Sequence, residues 1–250
     1  MNRQQQDIQL SIIITVYSEE AALTETIERL FGDEKMDDKG YISEILLIVS
    51  PRSSEQCIAR CHALSRRYEA VKTHIQQDNP GVGRAVREGF RLAQGNYIAI
   101  MSADLETEPE AVARMVGKIR ETGCDVAVAD RWQPGSGFTD YDRHKLLLNW
   151  LFQHLFRPFF ASPVKDLTYG FKILRKEVTD TIAWEGTLHE IFIETTIKPI
   201  THGYRVQPVP TVWVGRKEGI SRNTFFYNLR YVWLAVKAAV MRFKRPGQRE

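Results

Sequence analysis

The sequence has few of the features that mark secreted, disulfide-bonded or membrane-spanning proteins. It contains three cysteines in 250 residues, and Cys57 and Cys61 lack a matching pair of ligands at zinc-site spacing. We therefore interpret the cysteines as buried or neutral thiols. The first ten residues, MNRQQQDIQL, lack the apolar core of a signal peptide, which favours a cytoplasmic protein. No internal repeat or low-complexity segment is visible, and no linker divides the chain.

Positive charge is concentrated at the carboxyl end of the chain. The formal net charge is +3, and residues 216–250 hold nine Lys/Arg against two Glu, which gives them +7 and leaves −4 for residues 1–215. The hydrophobic share of 43% and the charged share of 26% are those of an ordinary globular protein. The length allows one large α/β domain or two small ones, and the basic end requires an explanation of its own.

Short apolar runs alternate with amphipathic segments through the first half of the chain. Strands are predicted at residues 10–16, 44–49, 71–75, 97–101 and 125–129, with helices between them. Gly95 is expected to end the helix that precedes the fourth strand. Strands that alternate with helices at this spacing predict an α/β fold with a mainly parallel central sheet and helices on both faces.

Three carboxylates follow the fourth predicted strand, at Asp104, Glu106 and Glu108. The carboxyl edge of a parallel sheet is where open α/β folds bind ligands, and oxygen ligands there suit Mg²⁺ or Mn²⁺ bridging a diphosphate. Alternatively, Glu106 or Thr107 caps a helix that begins near Pro109, where acidic residues in the first turn are favourable. These residues alone favour neither interpretation.

Two apolar segments are typical of surfaces that contact membranes. Residues 146–160, LLLNWLFQHLFRPFF, include five aromatic and no acidic residues and are too short to span a bilayer. They fit a helix lying on a membrane, a helix packed on another chain, or a buried core helix. Between residues 223 and 244, apolar residues recur at steps of three and four opposite a stripe of cations, which predicts an interfacial amphipathic helix. A packed terminal helix with a basic face is the alternative.

The order of the motifs along the chain is more specific than any one of them. From the amino end they read TVYSEE, EILLIV, NPGVGRAVREGFRLAQGNYIAIMSADLETEP, DVAVADR, KDLTYGFKILRKEV and GYRVQPVPTVWVGRKEGISR. This order resembles the family-2 inverting glycosyltransferases of the GT-A fold, particularly dolichyl-phosphate mannose synthases and the bacterial enzymes that load sugars onto polyprenyl phosphates. The resemblance covers nearly the whole chain. It implies a GT-A glycosyltransferase domain over residues 1–222 and a basic amphipathic helix and tail over residues 223–250.

The resemblance implies a nucleotide-sugar site formed by strand ends and the loops that follow them. Ser50 stands where the family has an Asp pair, so a hydroxyl replaces an ionised contact to the nucleotide. Arg216 and Arg222 belong to a loop that closes over the pyrophosphate in the family. The residues that the resemblance assigns to this site are Thr15, Tyr17, Glu19, Ser50, Gly83, Ser102, Ala103, Asp104, Arg216 and Arg222.

The metal-binding Asp-x-Asp motif of the family reads Ser102-Ala103-Asp104 in this chain. Asp104 and Glu106 remain as the implied ligands of Mg²⁺ or Mn²⁺. We expect weaker metal affinity, because Ser102 replaces the first acid. A site is still chemically feasible, since Mg²⁺ needs only one or two protein carboxylates when substrate phosphates supply further ligands.

The other implied catalytic residues, beside Asp104, belong to the acceptor side. Arg131 and Arg143 are assigned to the acceptor phosphate, which an arginine can both position and neutralise. Asp166 lies in the segment that shapes the sugar and acceptor side, and Glu194 matches a late acid of the family.

These assignments predict a peripheral-membrane glycosyltransferase at the cytoplasmic, inner face of the membrane. It would move a sugar, with inversion, from a nucleotide-sugar to a polyprenyl phosphate or related lipid-linked acceptor, and would contact the membrane through residues 146–160 and 223–245. One alternative is transfer to a glycan hydroxyl, with Asp166 or Glu194 as base. Another is a binding or scaffold protein on a degenerate fold, because serines replace acids at both the nucleotide and the metal position. No nucleic-acid partner is predicted, and a homo-oligomer stays open.

Overall fold

A seven-stranded sheet forms the centre of the structure, and helices cover both of its faces. This computed structural model describes residues 7–32, 40–77, 79–160, 162–215, 232–233 and 235–236. The first half contains β1 (Leu10–Val16), α1 (Ala21–Gly32), β2 (Ile42–Val49), α2 (Glu55–Arg67), β3 (Val71–Ile75), α3 (Val82–Leu92), β4 (Tyr97–Ser102), α4 (Ala111–Thr122) and β5 (Val126–Asp130). There follow β6 (Gly137–Thr139), α5 (Arg143–Phe156), a 3-10 turn (Arg157–Phe160), β7 (Lys172–Arg175), α6 (Lys176–Thr181), α7 (Glu190–Thr201), β8 (Val206–Pro210) and β9 (Val212–Val214).

The sheet has the strand order β3-β2-β1-β4-β7-β5-β8. Neighbouring strands are parallel except at β7, which lies antiparallel between β4 and β5. The short strands β6 and β9 pair in parallel as a second sheet. The predicted α/β fold with a mainly parallel central sheet is therefore confirmed, and the carboxyl ends of the parallel strands meet at one edge.

The central strands are buried on both faces, as their unbroken apolar sequences require. In β1, Ile12 and Ile14 pack in one cluster with residues of α1, α2 and α4. Ile13, between them, packs with residues of α3 on the opposite face. All three cysteines are buried and free, as predicted.

Gly95 does not end a helix, and that prediction is wrong. The helix α3 ends at Leu92, and the main-chain nitrogen of Gly95 donates to Oγ of Ser11 at 2.8 Å. A Cβ at this position would lie 2.4 Å from the carbonyl oxygen of Gln9. A glycine is needed because the chain passes against the start of β1.

The capping interpretation of the acidic turn is also wrong. The helix α4 begins after Glu110, whose side chain makes no capping hydrogen bond and instead pairs with Arg29, at 2.7 Å between Oε2 and Nη2. The carbonyl oxygen of Glu106 accepts a hydrogen bond from Val214. Neither Glu106 nor Thr107 is therefore the cap of α4, and the acids in this turn need another explanation.

The aromatic segment 146–160 lies on the surface, so a buried core helix is excluded. Within α5 only Gln153 and Phe156 are buried, whereas the side chain of Leu147 is 61% exposed. Among the described residues, no helix combines the length and the hydropathy needed to cross a membrane. Most of the predicted carboxyl-terminal amphipathic helix lies outside the described residues, and so do Arg216 and Arg222.

Candidate active site

An open pocket lies at the carboxyl edge of the sheet, where the sequence predicts a ligand site. Its walls come from the loops after β1, β2, β3 and β4, from one face of α5 and from the segment that precedes α7. The four strand-end residues assigned to nucleotide binding, Thr15, Tyr17, Glu19 and Ser50, all line one end of it. The structure therefore brings these predicted residues together.

The carboxylate of Glu19 is engaged with its own loop. Its Oε2 atom accepts from the main-chain nitrogen atoms of Tyr17 at 2.8 Å and of Ser18 at 2.9 Å. A carboxylate that accepts two main-chain hydrogen bonds fixes the loop in one conformation. Glu19 thus shapes the strand-end loop in addition to facing the pocket.

Gly83 is one of the assigned nucleotide-site residues that do not line the pocket. It is buried at the start of α3, and the residues of this turn that line the pocket are Pro80, Gly81 and Val82. A Cβ on Gly83 would lie 2.6 Å from the carbonyl oxygen of Leu188 and 2.8 Å from that of Gly186. Gly83 therefore allows α3 to pack directly against the loop before α7.

The acidic turn after β4 places a predicted metal ligand at the pocket. Ser102 and Asp104 line the pocket, and the side chain of Ala103 between them is fully buried. Leu105 adopts a left-handed conformation with φ of 59°, which is rare for a bulky residue. Oδ1 of Asp104 accepts a hydrogen bond from the main-chain nitrogen of Glu106 at 3.2 Å, which closes a tight turn between the two acids.

Glu106 is held by Trp213, a residue that the sequence does not predict. The indole Nε1 of Trp213 donates to Oε2 of Glu106 at 3.2 Å, and the main-chain nitrogen of Val214 donates to the carbonyl oxygen of Glu106 at 3.0 Å. The strand β9 thus crosses the acidic turn and orients its second carboxylate.

The donor set of the turn fits a hard divalent cation. Asp104 and Glu106 both line the pocket, and a cation of the Mg²⁺ type needs only one or two protein carboxylates when phosphates and water complete its coordination. Within the described residues there is no cluster of three or more His, Cys, Asp or Glu side chains that could hold a metal by itself. The two acids therefore suit an ion that is bound together with a diphosphate.

Arg131 forms a buried ion pair with Asp166 beneath the pocket. Nε of Arg131 lies 2.6 Å from Oδ2 of Asp166, and Nη2 lies 3.2 Å from Oδ1. The guanidinium also lies over the rings of Tyr169 and Phe138, at 4.2 and 5.1 Å from their centroids. Burial disfavours the charge, but the adjacent Asp166 outweighs it and raises the pKa of Arg131. Arg131 lines the pocket, whereas Asp166 does not and contacts the guanidinium of Arg131 instead.

Two further predicted residues, Arg143 and Glu194, do not line the pocket. Arg143 lies in the exposed first turn of α5. Glu194 is fully buried and accepts from the main-chain nitrogen atoms of Glu185 and Gly186, at 2.8 and 2.7 Å, and pairs with Lys198 at 2.5 Å. Its carboxylate anchors the loop before α7, which contributes to the pocket wall.

One face of α5 lines the pocket and was not predicted as part of the site. Lys145, Leu148, Asn149 and Phe152 share this face. Their spacing of three, one and three residues is the helical signal that could have identified them. The aromatic side chains of Tyr141, Tyr169 and Trp213 line the same half of the pocket, without a sequence signal of their own.

Known proteins resemble this chain in sequence and in fold. Residues 11–183 match Glycosyl transferase family 2. The chain is 26% identical over 236 residues to a dolichol-phosphate mannosyltransferase of Pyrococcus furiosus, a match that covers 92% of this chain and 64% of that protein. It is 22% identical over 244 residues to a dodecaprenyl-phosphate galacturonate synthase of Rhizobium johnstonii, covering 97% of this chain and 70% of that one.

A solved structure shares the fold. It is glucosyl-3-phosphoglycerate synthase from Mycobacterium tuberculosis in complex with Mn²⁺, uridine diphosphate and phosphoglyceric acid, with a TM-score of 0.65 and 15% identity over 99% of this chain and 81% of that one. Divalent metal and nucleotide thus bind together in a protein of this fold. The family match extends from β1 through α6 and includes the acidic turn and the Arg131–Asp166 pair. The chain therefore belongs to glycosyl transferase family 2 and has the GT-A fold that the order of its motifs predicts.

Proposed function

We propose that the protein transfers a sugar, with inversion, from a nucleotide-sugar to a polyprenyl phosphate or related lipid-linked acceptor. The observation that carries this proposal is the continuity of the pocket. It joins the acids of the β4 turn to the apolar side chains of Leu148 and Phe152, on a helix whose outer face is exposed and apolar. Such a pocket suits a donor that is polar and an acceptor whose phosphate is attached to a long apolar chain.

The donor diphosphate is placed beside Asp104 and Glu106. A divalent ion held by these acids, Mg²⁺ or Mn²⁺, would neutralise the charge that develops on the leaving diphosphate. The turn closed by the Asp104–Glu106 hydrogen bond and the indole of Trp213 keep the two carboxylates on the pocket side. Arg216 and Arg222 are proposed to contact the same diphosphate; both lie outside the described residues.

The acceptor phosphate is placed on the α5 side of the pocket. An oxygen of the acceptor phosphate attacks the anomeric carbon while the bond from that carbon to the diphosphate breaks. Because a phosphate is already ionised, it requires positioning and charge neutralisation more than a general base. Lys145 and Arg131 line this side of the pocket. In our proposal Lys145 takes the place of Arg143, because Lys145 lines the pocket and Arg143 does not.

The membrane surface is proposed to meet the protein at α5. Exposed side chains of Leu147, Leu151 and Leu155 and of Trp150 form an apolar face that soluble surfaces rarely carry. Contact through this face and through residues 223–245 would place the enzyme peripherally at the cytoplasmic, inner face of the membrane. Residues 1–222 would then form the catalytic domain, and residues 223–250 an attached basic segment.

The proposal is tested by a transfer assay with the full chain. A panel of radiolabelled nucleotide-sugars is incubated with a polyprenyl phosphate and Mn²⁺, and label is measured in the organic phase. Asp104→Asn should lower turnover by about 100-fold, because the carboxylate charge at the diphosphate is lost. Glu108→Gln is the matched control and should keep turnover, since Glu108 pairs with Arg114 and does not line the pocket.

Two further measurements separate the alternatives. In a reaction that also contains a water-soluble glycan, label in the glycan would favour transfer to a hydroxyl. In calorimetric titrations, failure to bind any nucleotide-sugar would favour a scaffold protein. Wild-type turnover in Asp104→Asn would refute the metal assignment. Nuclear magnetic resonance of the product should show the anomeric configuration opposite to that of the donor, and a retained configuration would contradict the inverting mechanism.

A further inference from the structure

The two ends of the pocket differ in charge. The end near α5 and the β4 turn is lined by two cations, Arg131 and Lys145, and by four acids, which are Asp104, Glu106, Asp140 and Asp142. At the other end, formed by β1, β2, β3 and the loops after them, Glu19 is the only acid among the described lining residues, and Arg52 adds a cation. The proposed function puts the diphosphate beside Asp104 and Glu106 and the acceptor on the α5 side, so the opposite end of the pocket is left for the nucleobase.

The acceptor atoms at the nucleobase end are largely used within the protein. Oε2 of Glu19 accepts two main-chain hydrogen bonds from its own loop. Oγ of Ser50 accepts from the main-chain nitrogen of Arg52 at 3.2 Å, which leaves its hydroxyl proton to donate outward. Only Oε1 of Glu19 therefore remains to accept from a ligand, so this carboxylate does not offer both of its oxygens to two adjacent N–H groups.

At this end the donor groups of Arg52 are available to a ligand, whereas the amide nitrogen of Gln76 is engaged within the protein. The exposed guanidinium of Arg52 makes no ion pair or side-chain hydrogen bond with another part of the described chain, and it lines the pocket. The amide nitrogen Nε2 of Gln76 donates to the carbonyl oxygens of Asn79 and Gly81, both at 3.3 Å, which turns Oε1 of Gln76 away from them. The nucleobase end thus offers the guanidinium of Arg52 and the hydroxyl of Ser50 as donors, whereas its free side-chain acceptors are single oxygens of two different residues, Glu19 and Gln76.

From this imbalance we infer that the pocket selects a pyrimidine nucleotide over a guanine nucleotide, with Arg52 as the specificity-determining residue. The inference rests on the proposed function, since it assumes a nucleotide-sugar donor. Uracil and cytosine each present two acceptors and one donor on their pairing edge, which matches Arg52, the hydroxyl of Ser50 and a single acceptor such as Gln76. Guanine presents two adjacent N–H donors, which need the carboxylate fork that this end lacks.

The test is calorimetric titration of the full chain with UDP, CDP and GDP in the presence of Mn²⁺. Wild type should bind UDP or CDP at least about tenfold more tightly than GDP. Arg52→Glu should reduce that ratio by about tenfold, because it removes donors and supplies a carboxylate that can accept from guanine. The diphosphate is common to all three ligands, so the ratio reports on the base.

Arg66→Glu is the matched control. It makes the same charge change at an exposed position on α2 that does not line the pocket, and it should leave the ratio unchanged. Equal or tighter binding of GDP by wild type would overturn the inference while the proposed function stands. A pyrimidine preference that Arg52→Glu does not alter would overturn the role of Arg52. Failure of all three nucleotides to bind would overturn the proposed function itself.

Discussion

At the scale of single residues, the acidic turn after β4 is held in an unfavourable conformation. Leu105 has φ of 59°, and a left-handed conformation costs a bulky residue about 1–2 kcal/mol. The side chains of Ala103 and Leu105 are both buried, which stabilises the turn and directs the neighbouring acids, Asp104 and Glu106, to the pocket. Backbone strain at a strand end is frequently found where a site must be preorganised.

The Trp213 indole should contribute to metal affinity through its hydrogen bond to Glu106. Trp213→Phe removes the N–H donor but keeps a ring of similar shape against the turn. We expect the affinity for Mn²⁺, measured by electron paramagnetic resonance titration in the presence of nucleoside diphosphate, to fall by about tenfold. The carboxylate of Glu106 would then lose the hydrogen bond that the indole donates to its Oε2 atom.

Trp184→Phe serves as the control for this experiment. Its Nε1 also donates a hydrogen bond, to the carbonyl oxygen of Thr179 at 2.9 Å, but it does not line the pocket. Mn²⁺ affinity should be unchanged in this variant. If Trp213→Phe bound Mn²⁺ as tightly as wild type, Glu106 would not depend on the indole for its position.

The sequence could predict the acids of this turn but not the residue that holds them. Asp104 and Glu106 follow an apolar strand directly, so their place at the sheet edge is a local property. Trp213 lies 107 residues from Glu106 and meets it only because β9 crosses the turn. No local pattern encodes such a long-range contact.

At the scale of secondary structure, the contact between α3 and the loop before α7 shapes one wall of the pocket. Gly83→Ala would place a Cβ 2.6 Å from the carbonyl oxygen of Leu188, a backbone atom that cannot turn aside. We expect the free energy of unfolding to fall by about 1–3 kcal/mol, because the helix and the loop must separate. Nucleotide affinity should fall as well, since Gly81 and Leu188 both line the pocket.

Gly117→Ala is the matched control in urea unfolding experiments. Gly117 lies within α4, and a Cβ there would meet no atom within 4 Å. Its replacement should raise the free energy of unfolding by about 0.5–1 kcal/mol, because alanine favours helix more than glycine. Equal stabilisation by both substitutions would show that the loop accommodates a side chain at Gly83.

The positions of the first five strands were predictable and the sheet topology was not. The observed bounds of β1, β3, β4 and β5 lie within a residue of the predicted ones. In β1, β4 and β5 the signal is a nearly unbroken apolar sequence, because these strands are buried on both faces. The antiparallel strand Lys172–Arg175 was missed, since a buried lysine interrupts its pattern. The amine of Lys172 donates to the carbonyl oxygen of Phe192 and the hydroxyl of Thr196, and burial lowers its pKa to about 7.

At the scale of the whole molecule, Ala235, one of the few described residues near the carboxyl end, packs against the end of α5 and the 3-10 turn that follows it. Ala235 belongs to the same buried cluster as Phe156 and Phe160, while Trp233 is exposed. Sequence alone could not decide between a surface and a core position for residues 146–160, because a continuous apolar run suits either. The exposure of α5 settles this in favour of the surface, where our proposal puts the contact with the membrane.

Membrane binding should therefore depend on the exposed leucines of α5. A Leu151→Glu/Leu155→Glu variant keeps the pocket-lining residues and should lose flotation with vesicles containing anionic lipid by more than about tenfold, because two apolar side chains no longer enter the interface. Leu92→Glu, at an exposed position on α3, should float as wild type does. Turnover with a short-chain acceptor in detergent should stay unchanged in both variants. Undiminished flotation of the double variant would place the membrane contact on another surface. It would also mean that a lipid acceptor does not reach the pocket from a membrane bound at α5.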